Sequence, residues 1–443
     1  MSTVVNFLTS SMGWSIIIFL VIYFFIATNK LDQTVSAFVG AFLVIALGLV
    51  SYERALSDVD VNVILLLIGM MVIVGILSET GIFEWLAIKI AKGTKGNAVL
   101  VVMLFLMLTA ILSAFLDNVT TVILIVPITI LLTQILEIPT APILILEAIF
   151  SNIGGTATMI GDPPNIIIGS QTKFGFNDFL FNLAPVIIII VIVVLIGLYF
   201  FMRKDLKTSP EARERVMAAR PECAIIQPKV LKNALPIFVL VLLGFFTGSL
   251  THIEPGIVAM TGAVVMTVTC KVSLERVLHH VEWNTIMFFI GLFMLMSALS
   301  ANGVFDKLGQ LVLWASQGDL FITVMAMLWI SAILSMIVNN IPLIIAMIPL
   351  AQGMVPVFAA QMGLTAEADI MQQIEAPLIW ALALGSCLGG NGTMVGASAN
   401  VVVAQIATRN GSPVDFMRFT KYGLPLTLVS LVVCTIYMWL RYF

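Results

Sequence analysis

Charged residues are scarce in this sequence. Only 10% of its 443 residues are charged and 60% are hydrophobic, whereas about 25% charged residues is usual in soluble domains. A soluble core of this length could not hide so much apolar surface, so the composition excludes a soluble globular protein. The chain has no long basic run and a net charge of only -3, so nucleic acid is not expected as a partner.

Motifs for covalent chemistry and for cofactors are lacking as well. The four cysteines do not show the paired spacing of a zinc site or a disulfide framework, and Cys387 is interpreted as a small buried core residue. The sequence contains no Walker-type GxxxxGKS/T, no HExxH and no GxSxG. We therefore expect no enzyme activity, no metal site and no cofactor.

Long hydrophobic runs are what the sequence has instead. A helix of about 20 apolar residues crosses a bilayer. Stretches close to that length recur along the chain, as at 185–202 and 235–250. Residues 1–13 contain no Lys or Arg, so the first apolar run is expected to be a retained helix rather than a cleavable signal peptide. The sequence predicts an all-α polytopic membrane protein.

An internal repeat organises the chain. Residues 62–83 align with 284–305 at a shift of 222, with eight of 22 positions identical. Residues 151–166 align with 386–401 at a shift of 235, with seven of 16 identical, and the shared residues include glycine and asparagine. Chance similarity of apolar segments does not explain such matches. We divide the chain into a first repeat (1–202), a cytoplasmic linker (203–232) and a second repeat (233–443).

Each repeat has the same predicted order of elements. Three helices come first, followed by a short amphipathic segment, two apolar arms that meet at a polar tip, a crossing broken at a glycine pair, and a final helix. The third helices are expected at 62–79 and 284–300, the amphipathic segments at 83–92 and 304–314, the tips at 117–121 and 339–342, the broken helices at 141–170 and 377–407, and the final helices at 183–202 and 422–440.

The orientation of the repeats depends on the paired arms. If they form re-entrant hairpins, each repeat crosses the membrane five times and the second repeat is inverted; if each arm crosses, the repeats are parallel. Under the first scheme, 17 of the 21 Lys and Arg residues lie on one side, which the positive-inside rule assigns to the cytoplasm. We therefore expect inverted repeats in the inner (plasma) membrane, with about 10 transmembrane helices plus two hairpins, and with both termini outside.

The tips and the breaks are the candidate site. Inverted-repeat transporters bind solute near the midplane, where interrupted helices expose backbone dipoles to a cavity. Ordinary loops and kinks needed only for packing are the alternatives. The candidate solute- or ion-binding residues are Asp117, Asn118, Thr120, Asn339 and Asn340 at the tips, and Gly154, Gly155, Thr156, Thr158, Asp162, Asn165, Gly389, Gly390, Thr393 and Asn400 at the breaks.

Acidic residues at membrane depth are the strongest candidates for proton coupling. A carboxylate there is costly unless it is paired, hydrated or protonated, and it marks a solute or proton pathway by default. Asp117 and Asp162 have Asn339 and Ala397 at their mirror positions, so the acidic chemistry belongs to one repeat. We predict that the two aspartates couple transport to protons and that Glu147 is a candidate relay. The alternative is that each aspartate only caps a helix N-terminus.

These motifs resemble those of the ion transporter superfamily, in its branch of arsenite/antimonite efflux permeases (ArsB-like), NhaD-type sodium/proton antiporters and the melanosomal P protein. The resemblance rests on DNVTT at 117–121 and NIGGTATMIGDPPNIII at 152–168, with GGNGTMVGASAN at 389–400 as the second-repeat counterpart. It implies a scaffold domain, a transport domain that moves as an elevator, and frequent dimers. The dicarboxylate branch has tips without acids, so Asp117 and Asp162 disfavour a dianionic substrate.

The sequence thus predicts a secondary active transporter rather than an enzyme. The favoured function is export of arsenite or antimonite from the cytoplasm, coupled to proton influx. A sodium/proton antiporter of the NhaD type and an uncoupled anion channel are the alternatives that the residues leave open. The expected partners are a small inorganic solute, protons and membrane lipid, while a homodimer and an ATPase subunit stay open.

Overall fold

The structure is a computed structural model that describes residues 10–28, 31–203, 206, 208–305, 307 and 318–443. Every regular element in these ranges is a helix, so the all-α prediction is confirmed. The amphipathic segment predicted at 304–314 lies mostly outside the described residues.

The helices follow one another closely along the chain. Up to residue 203 they are α1 Ser11–Thr28, α2 Gln33–Ala46, α3 Tyr52–Ser57, α4 Val61–Ser78, α5 Ile82–Gly93, α6 Ala98–Ser113, α7 Asn118–Leu136, α8 Thr140–Gly155, α9 Pro163–Gln171, α10 Phe176–Asn182 and α11 Ala184–Met202. Then come α12 Pro210–Ala218 and a 3-10 turn, Pro221–Ala224. The rest are α13 Pro228–Thr251, α14 Pro255–Cys270, α15 Leu274–His280, α16 Trp283–Ala301, α17 Leu320–Ile337, α18 Asn340–Met362, α19 Glu367–Ile370, α20 Ala376–Gly389, α21 Ser398–Arg409 and α22 Phe416–Tyr442. A π-helical turn, Met371–Glu375, precedes α20, and a 3-10 turn, Gly390–Gly392, follows it.

Eight helices in the described part of the chain are long and apolar enough to cross a membrane, namely α4, α7, α11, α13, α16, α17, α18 and α22. Five shorter apolar helices accompany them. Their outer faces carry large apolar side chains: Ile188, Ile192 and Ile196 lie on one face of α11, and each is more than half exposed. Such a face is stable in lipid and unfavourable in water, so the chain is a multi-pass membrane protein.

The first and second halves of the chain pack against each other in reciprocal pairs. Helix α2 packs along α16, and α14 packs along α4. A glycine permits each close approach, because a Cβ on Gly69 would overlap the backbone of Ala259 and one on Gly291 would crowd the backbone of Ala37. Both contacts join residues that the 222-residue shift relates, so the two halves have the same local architecture at this interface.

The helices next to the candidate tips are arranged in the same reciprocal way. Helix α6 packs along α8, and α17 packs along α20. A Cβ on Gly154 would overlap the carbonyl oxygen of Ala110, and one on Gly389 would overlap that of Ala332. Helix α8 ends at Gly155 and α9 begins at Pro163, which lacks the N–H needed to continue a helical ladder. The chain between them is free to place polar side chains at the break.

The 203–232 segment contains more structure than the linker prediction includes. Ser209 accepts a hydrogen bond from the backbone N–H of Ala212 at 3.1 Å and begins α12, with Pro210 in the first turn. Lys92 on α5 donates to the carbonyl of Ala219 at 2.7 Å, and the N–H of Ile226 donates to the carbonyl of Thr80 at 2.9 Å. The segment is therefore docked against the first half of the chain.

Candidate functional site

The first tip is closed by a helix cap. Asp117 precedes α7, and its Oδ1 accepts the backbone N–H of Thr120 at 2.9 Å while its carboxylate also accepts the Thr120 hydroxyl hydrogen. At the second tip Asn339 caps α18 similarly, since its Oδ1 accepts the N–H of Ile341 at 3.1 Å. Both residues satisfy backbone donors that a helix N-terminus leaves free. In this conformation Asp117 therefore has the capping role that was the structural alternative for it.

Asp162 behaves differently. It precedes α9 and is fully buried, but its side chain does not cap that helix. Its Oδ1 accepts hydrogen bonds from the amide nitrogens of Asn118, at 3.0 Å, and Asn340, at 3.4 Å. Its Oδ2 has no hydrogen-bond partner among the residues that the structure describes. Amides from both tips thus meet at one oxygen of this carboxylate, while the other oxygen is left without a donor.

A chain of amides extends from Asp162 into the second half of the protein. The Asn118 amide also donates to Asn152 Oδ1 at 2.9 Å. The Asn152 amide donates in turn to Asn391 Oδ1 at 2.8 Å and to Asn400 Oδ1 at 2.9 Å. All four asparagines are at most 2% exposed. Because buried amides are costly unless they are bonded, this network fixes the two breaks relative to each other.

The two breaks also contact each other through mirror positions. Asn152 and Cys387 occupy equivalent places under the 235-residue shift, as do Asn165 and Asn400. Asn152 donates to Asn400, and the Sγ of Cys387 lies 3.5 Å from Asn165 Oδ1. Each first half-helix therefore reaches the asparagine on the second half-helix of the other repeat. Cys387 is buried, as expected, and it adjoins the site.

The remaining residues predicted at the breaks stabilise the backbone. The Asn165 amide donates to the carbonyls of Thr156 and Thr158, and the Asn400 amide donates to those of Gly390 and Thr393. The further contacts are the Thr156 hydroxyl with Asn152 O, the Thr158 hydroxyl with Ala114 O, the Thr393 hydroxyl with Met336 O, Gly155 against Gly161 O, and Gly390 against Gly396 O. These residues shape the site: their hydroxyl groups and amide nitrogens bond to the backbone, while the side-chain oxygens of Asn165 and Asn400 contact the other repeat.

A cavity of about 40 Å³ lies where these elements meet. The side chains around it come from both tips, both breaks, α4 and the start of α16: Leu67, Met71, Asp117, Asn118, Val119, Asp162, Pro163, Glu282, Thr285, Asn340, Ile341 and Ser398. Three of them are acidic and none is basic. The cavity has room for a water molecule but not for a multi-carbon solute. Asn118 Oδ1, like Asp162 Oδ2, has no partner among the described residues.

Glu147 lies apart from this cavity. Its side chain is completely buried between α7 and α8, where its Oε1 accepts the hydroxyl hydrogen of Thr129. Its Oε2 has no partner within the described part of the chain. The residue does not line the cavity, although it precedes Asn152 on the same helix by five positions. Of the three acids predicted to couple protons, two line the cavity and one does not.

Sequence reasoning missed several residues that the structure places at the site. Asn152 and Asn391 complete the amide network, and Glu282, Thr285 and Ser398 line the cavity. One signal was available for Asn152, because the 235-residue alignment sets it beside the glycine pair and opposite Cys387. Glu282 gave no such signal, since an acid just before a helix is typical of an N-cap.

Comparison with known proteins shows where this architecture belongs. The model of the CitMHS family, described as "Citrate transporter", matches residues 23–373. The chain belongs to this family. The prediction of an ion transporter superfamily member is thereby confirmed, and a CitMHS chain is a membrane transporter.

Similar proteins align with this CitMHS family member over nearly its whole length. A 46 kDa membrane protein of Mycobacterium leprae is 38% identical over 432 residues, which is 97% of this chain and 98% of that protein. An uncharacterized transporter of Synechocystis is 32% identical over 441 residues, 97% of each chain. P protein of Sus scrofa is 31% identical over 94% of this chain and 58% of its own length. The predicted relationship to P protein is therefore confirmed.

Two solved structures share the fold. The YdaH transporter of Alcanivorax borkumensis gives a TM-score of 0.58 at 13% identity, covering 88% of this chain and 87% of that one. MtrF of Neisseria gonorrhoeae, described with a class of antimetabolite efflux pumps, gives 0.59 at 11% identity, covering 90% and 84%. At these identities the likeness shows a shared helical fold.

Proposed function

We propose that this chain exports arsenite or antimonite from the cytoplasm as a proton-coupled secondary transporter. The observation that carries the proposal is the buried carboxylate of Asp162, which receives amides from both tips and keeps one oxygen without a donor. An ionised carboxylate at this depth needs a cation, a donor or a proton. What enters the cavity therefore affects whether Asp162 holds a proton, and that linkage is the basis of coupling.

The chemistry of the cavity supports a small solute without a negative charge. In this proposal arsenite enters the cavity as a neutral trihydroxy compound. Its hydroxyl groups both donate and accept hydrogen bonds. Asp162 Oδ2 and Asn118 Oδ1 are free acceptors, and the Thr285 and Ser398 hydroxyls also line the cavity. Three carboxylates without a basic residue oppose an anion such as citrate, so we do not carry the substrate in the family's description over to this chain.

The proposed movement is an elevator-type alternating access. In it, residues 1–202 and 233–443 are the inverted repeats, joined by the cytoplasmic linker 203–232, in the inner membrane with both termini outside. The moving transport domain comprises the arms and the broken crossings, which are α6–α9 and α17–α21. The scaffold contains the helices of the reciprocal interface, α2, α4, α14 and α16. The reciprocal interface supports this division, because it excludes both tips and both breaks. Asp162 and Asp117 exchange the proton, with Glu147 as a relay.

Everted membrane vesicles with an acidified lumen test the proposal. Arsenite export becomes uptake in this orientation, so arsenite should accumulate and dissipate the proton gradient reported by a pH-sensitive dye. Vesicles that contain Asp162→Asn should show neither response. If arsenite neither accumulates nor dissipates the gradient in wild-type vesicles, the proposal is wrong.

Sodium/proton antiport is the second candidate, and one observation favours it. The cavity offers hydroxyl, amide and carboxylate oxygens, including three carboxylates, which suits a hard cation as the substrate. Against it, no group of three His, Cys, Asp or Glu residues in the described ranges is arranged to hold a metal ion. The vesicle experiment separates the two functions, because sodium-dependent alkalinisation without arsenite uptake would reverse their order.

A further inference from the structure

Glu282 is a third carboxyl group at the cavity, and it comes from outside the tips and breaks. It precedes α16, is half-buried, and lines the same 40 Å³ space as Asp117 and Asp162. Its Oε2 accepts the hydroxyl hydrogen of Thr285 at 3.2 Å. Helix α16 packs along α2 rather than within a broken crossing. In the proposed elevator, Glu282 is therefore a fixed group that two moving acids face.

The mirror position shows that Glu282 does not serve as a cap. The 222-residue shift relates it to Asp60, which precedes α4 in the first half of the chain. The Oδ1 of Asp60 accepts the backbone N–H of Val63 at 3.1 Å, as expected of an acid at an N-cap. The side chain of Glu282 makes no such bond to α16. The same position thus carries a capping carboxylate in one half and a cavity-lining carboxylate in the other.

Basic side chains of the described residues do not neutralise this cluster. None of the residues that line the cavity is basic. The basic groups nearest to Glu282 along the chain are Arg276, His279 and His280 on α15. His280 and Arg276 lie 3.2 and 3.7 Å from the carboxylate oxygens of Glu79 at the end of α4, and His279 does not line the cavity. The residues of α4 that face the cavity, Leu67 and Met71, are uncharged.

Three carboxyl groups around one small cavity, with buried and unpartnered oxygens on Asp162 and Asn118, require positive charge from outside the protein. We propose that Glu282 is a cation-contacting residue of the transport site. The coupled cation, a proton or a sodium ion, passes through the cavity between the carboxylate of Asp117 and that of Glu282. When the cation is a proton, Asp117 becomes a carboxylate and Glu282 becomes the neutral acid. The inference rests on the proposed cation-coupled transport and adds to it a fixed residue that contacts the cation.

Transport assays on three variants test this role. Glu282→Gln should lose coupling: solute movement no longer dissipates the proton gradient, and the rate no longer depends on pH as in wild type. Glu282→Asp should restore part of that pH dependence. Asp60→Asn is the matched control, because it neutralises the mirror carboxylate outside the cavity, and it should keep the wild-type profile. A wild-type pH profile and coupling in Glu282→Gln would overturn the inference.

Carbodiimide labelling of the purified full-length protein gives a readout that does not need transport. This reagent modifies protonated carboxyl groups in apolar surroundings, and mass spectrometry locates the product. Glu282 should be labelled, and either alkaline pH alone or sodium at constant pH should suppress the labelling; the first result identifies a proton and the second a sodium ion. Labelling of Glu282 that responds to neither would overturn the inference. Protection of Glu282 in a protein that moves neither arsenite nor sodium would instead refute the proposed function alone.

Discussion

The side-chain amide of Asn152 donates to the side-chain oxygen of Asn400 at 2.9 Å, and this bond joins the broken helices of the two halves. Asn152 also donates to Asn391 and accepts from Asn118, so one side chain has hydrogen-bond partners at the first tip and on both sides of the second break. The site is therefore a joint product of both halves, and its integrity depends on this residue.

Replacing Asn152 with alanine should destabilise the protein as a whole. Asn118, Asn391 and Asn400 would each lose a buried hydrogen bond, and each buried group left unsatisfied costs about 1–3 kcal/mol. We expect a clear fall in the midpoint of thermal unfolding in detergent. Asn410→Ala removes an exposed amide at the end of α21 and should leave the midpoint unchanged. Equal midpoints for the two variants would contradict a structural role for Asn152.

Asp162→Asn should separate folding from coupling. Asparagine is nearly isosteric and can still accept the amides of Asn118 and Asn340 through its oxygen, so the variant should fold and insert normally. It cannot exchange a proton, and coupled transport in vesicles should be lost. Asp60→Asn carries the same substitution at a capping residue and should remain active. Coupled transport that persists in Asp162→Asn would remove this carboxylate from the mechanism.

The mirror glycines should tolerate no added methyl group. In Gly154→Ala and Gly389→Ala the new Cβ overlaps a backbone carbonyl of the neighbouring helix, and overpacking of this kind costs about 1–3 kcal/mol. Both variants should unfold at lower temperature than wild type. Gly197→Ala is the control, because nothing lies within 4 Å of its Cβ position on the exposed face of α11. If all three variants behave alike, close approach is not what these glycines provide.

Glu147→Gln tests the relay away from the cavity. The amide oxygen of glutamine can still accept the Thr129 hydroxyl, so we expect normal folding and normal binding of arsenite. The initial rate of coupled transport should fall, since a side-chain amide does not take up and release a proton as a carboxyl group does. Thr129→Val removes the hydrogen bond but keeps the acid, and should retain the rate better than Glu147→Gln. The reverse order would assign Glu147 a structural role.

Much of the fold was predictable from hydrophobicity, because lipid requires long apolar helices. The third helix of the first half, expected at 62–79, is Val61–Ser78, and the final one, expected at 183–202, is Ala184–Met202. The last helix of the chain begins at Phe416, whereas hydrophobicity predicts a start at 422. Its first turns are polar and contain Arg418 and Lys421. Asp415 caps it by accepting the N–H of Arg418 at 2.7 Å. Charge near its start hid this helix from a hydrophobicity criterion.

The site was less predictable, because its contacts join residues far apart in the chain. The repeat alignment pointed to the tips and breaks, and Asp117, Asp162 and Asn340 do line one cavity. It could not show that Asn152 reaches Asn400, since Asn152 stands opposite a cysteine in that alignment. Nor could it distinguish Glu282 from Asp60, as both are acids just before a helix. Side-chain direction, which the sequence does not encode locally, separates the two.

The exchange of partners between α2 and α16, and between α4 and α14, has a consequence for biosynthesis. When the ribosome has completed α4, neither this helix nor α2 can yet pack against its partner in the reciprocal interface, because α14 and α16 are encoded much later. The nascent protein must wait in the bilayer with these surfaces against lipid or the insertion machinery. A premature stop codon between α4 and α14 would therefore release a fragment with both surfaces uncovered, a ready substrate for membrane proteases.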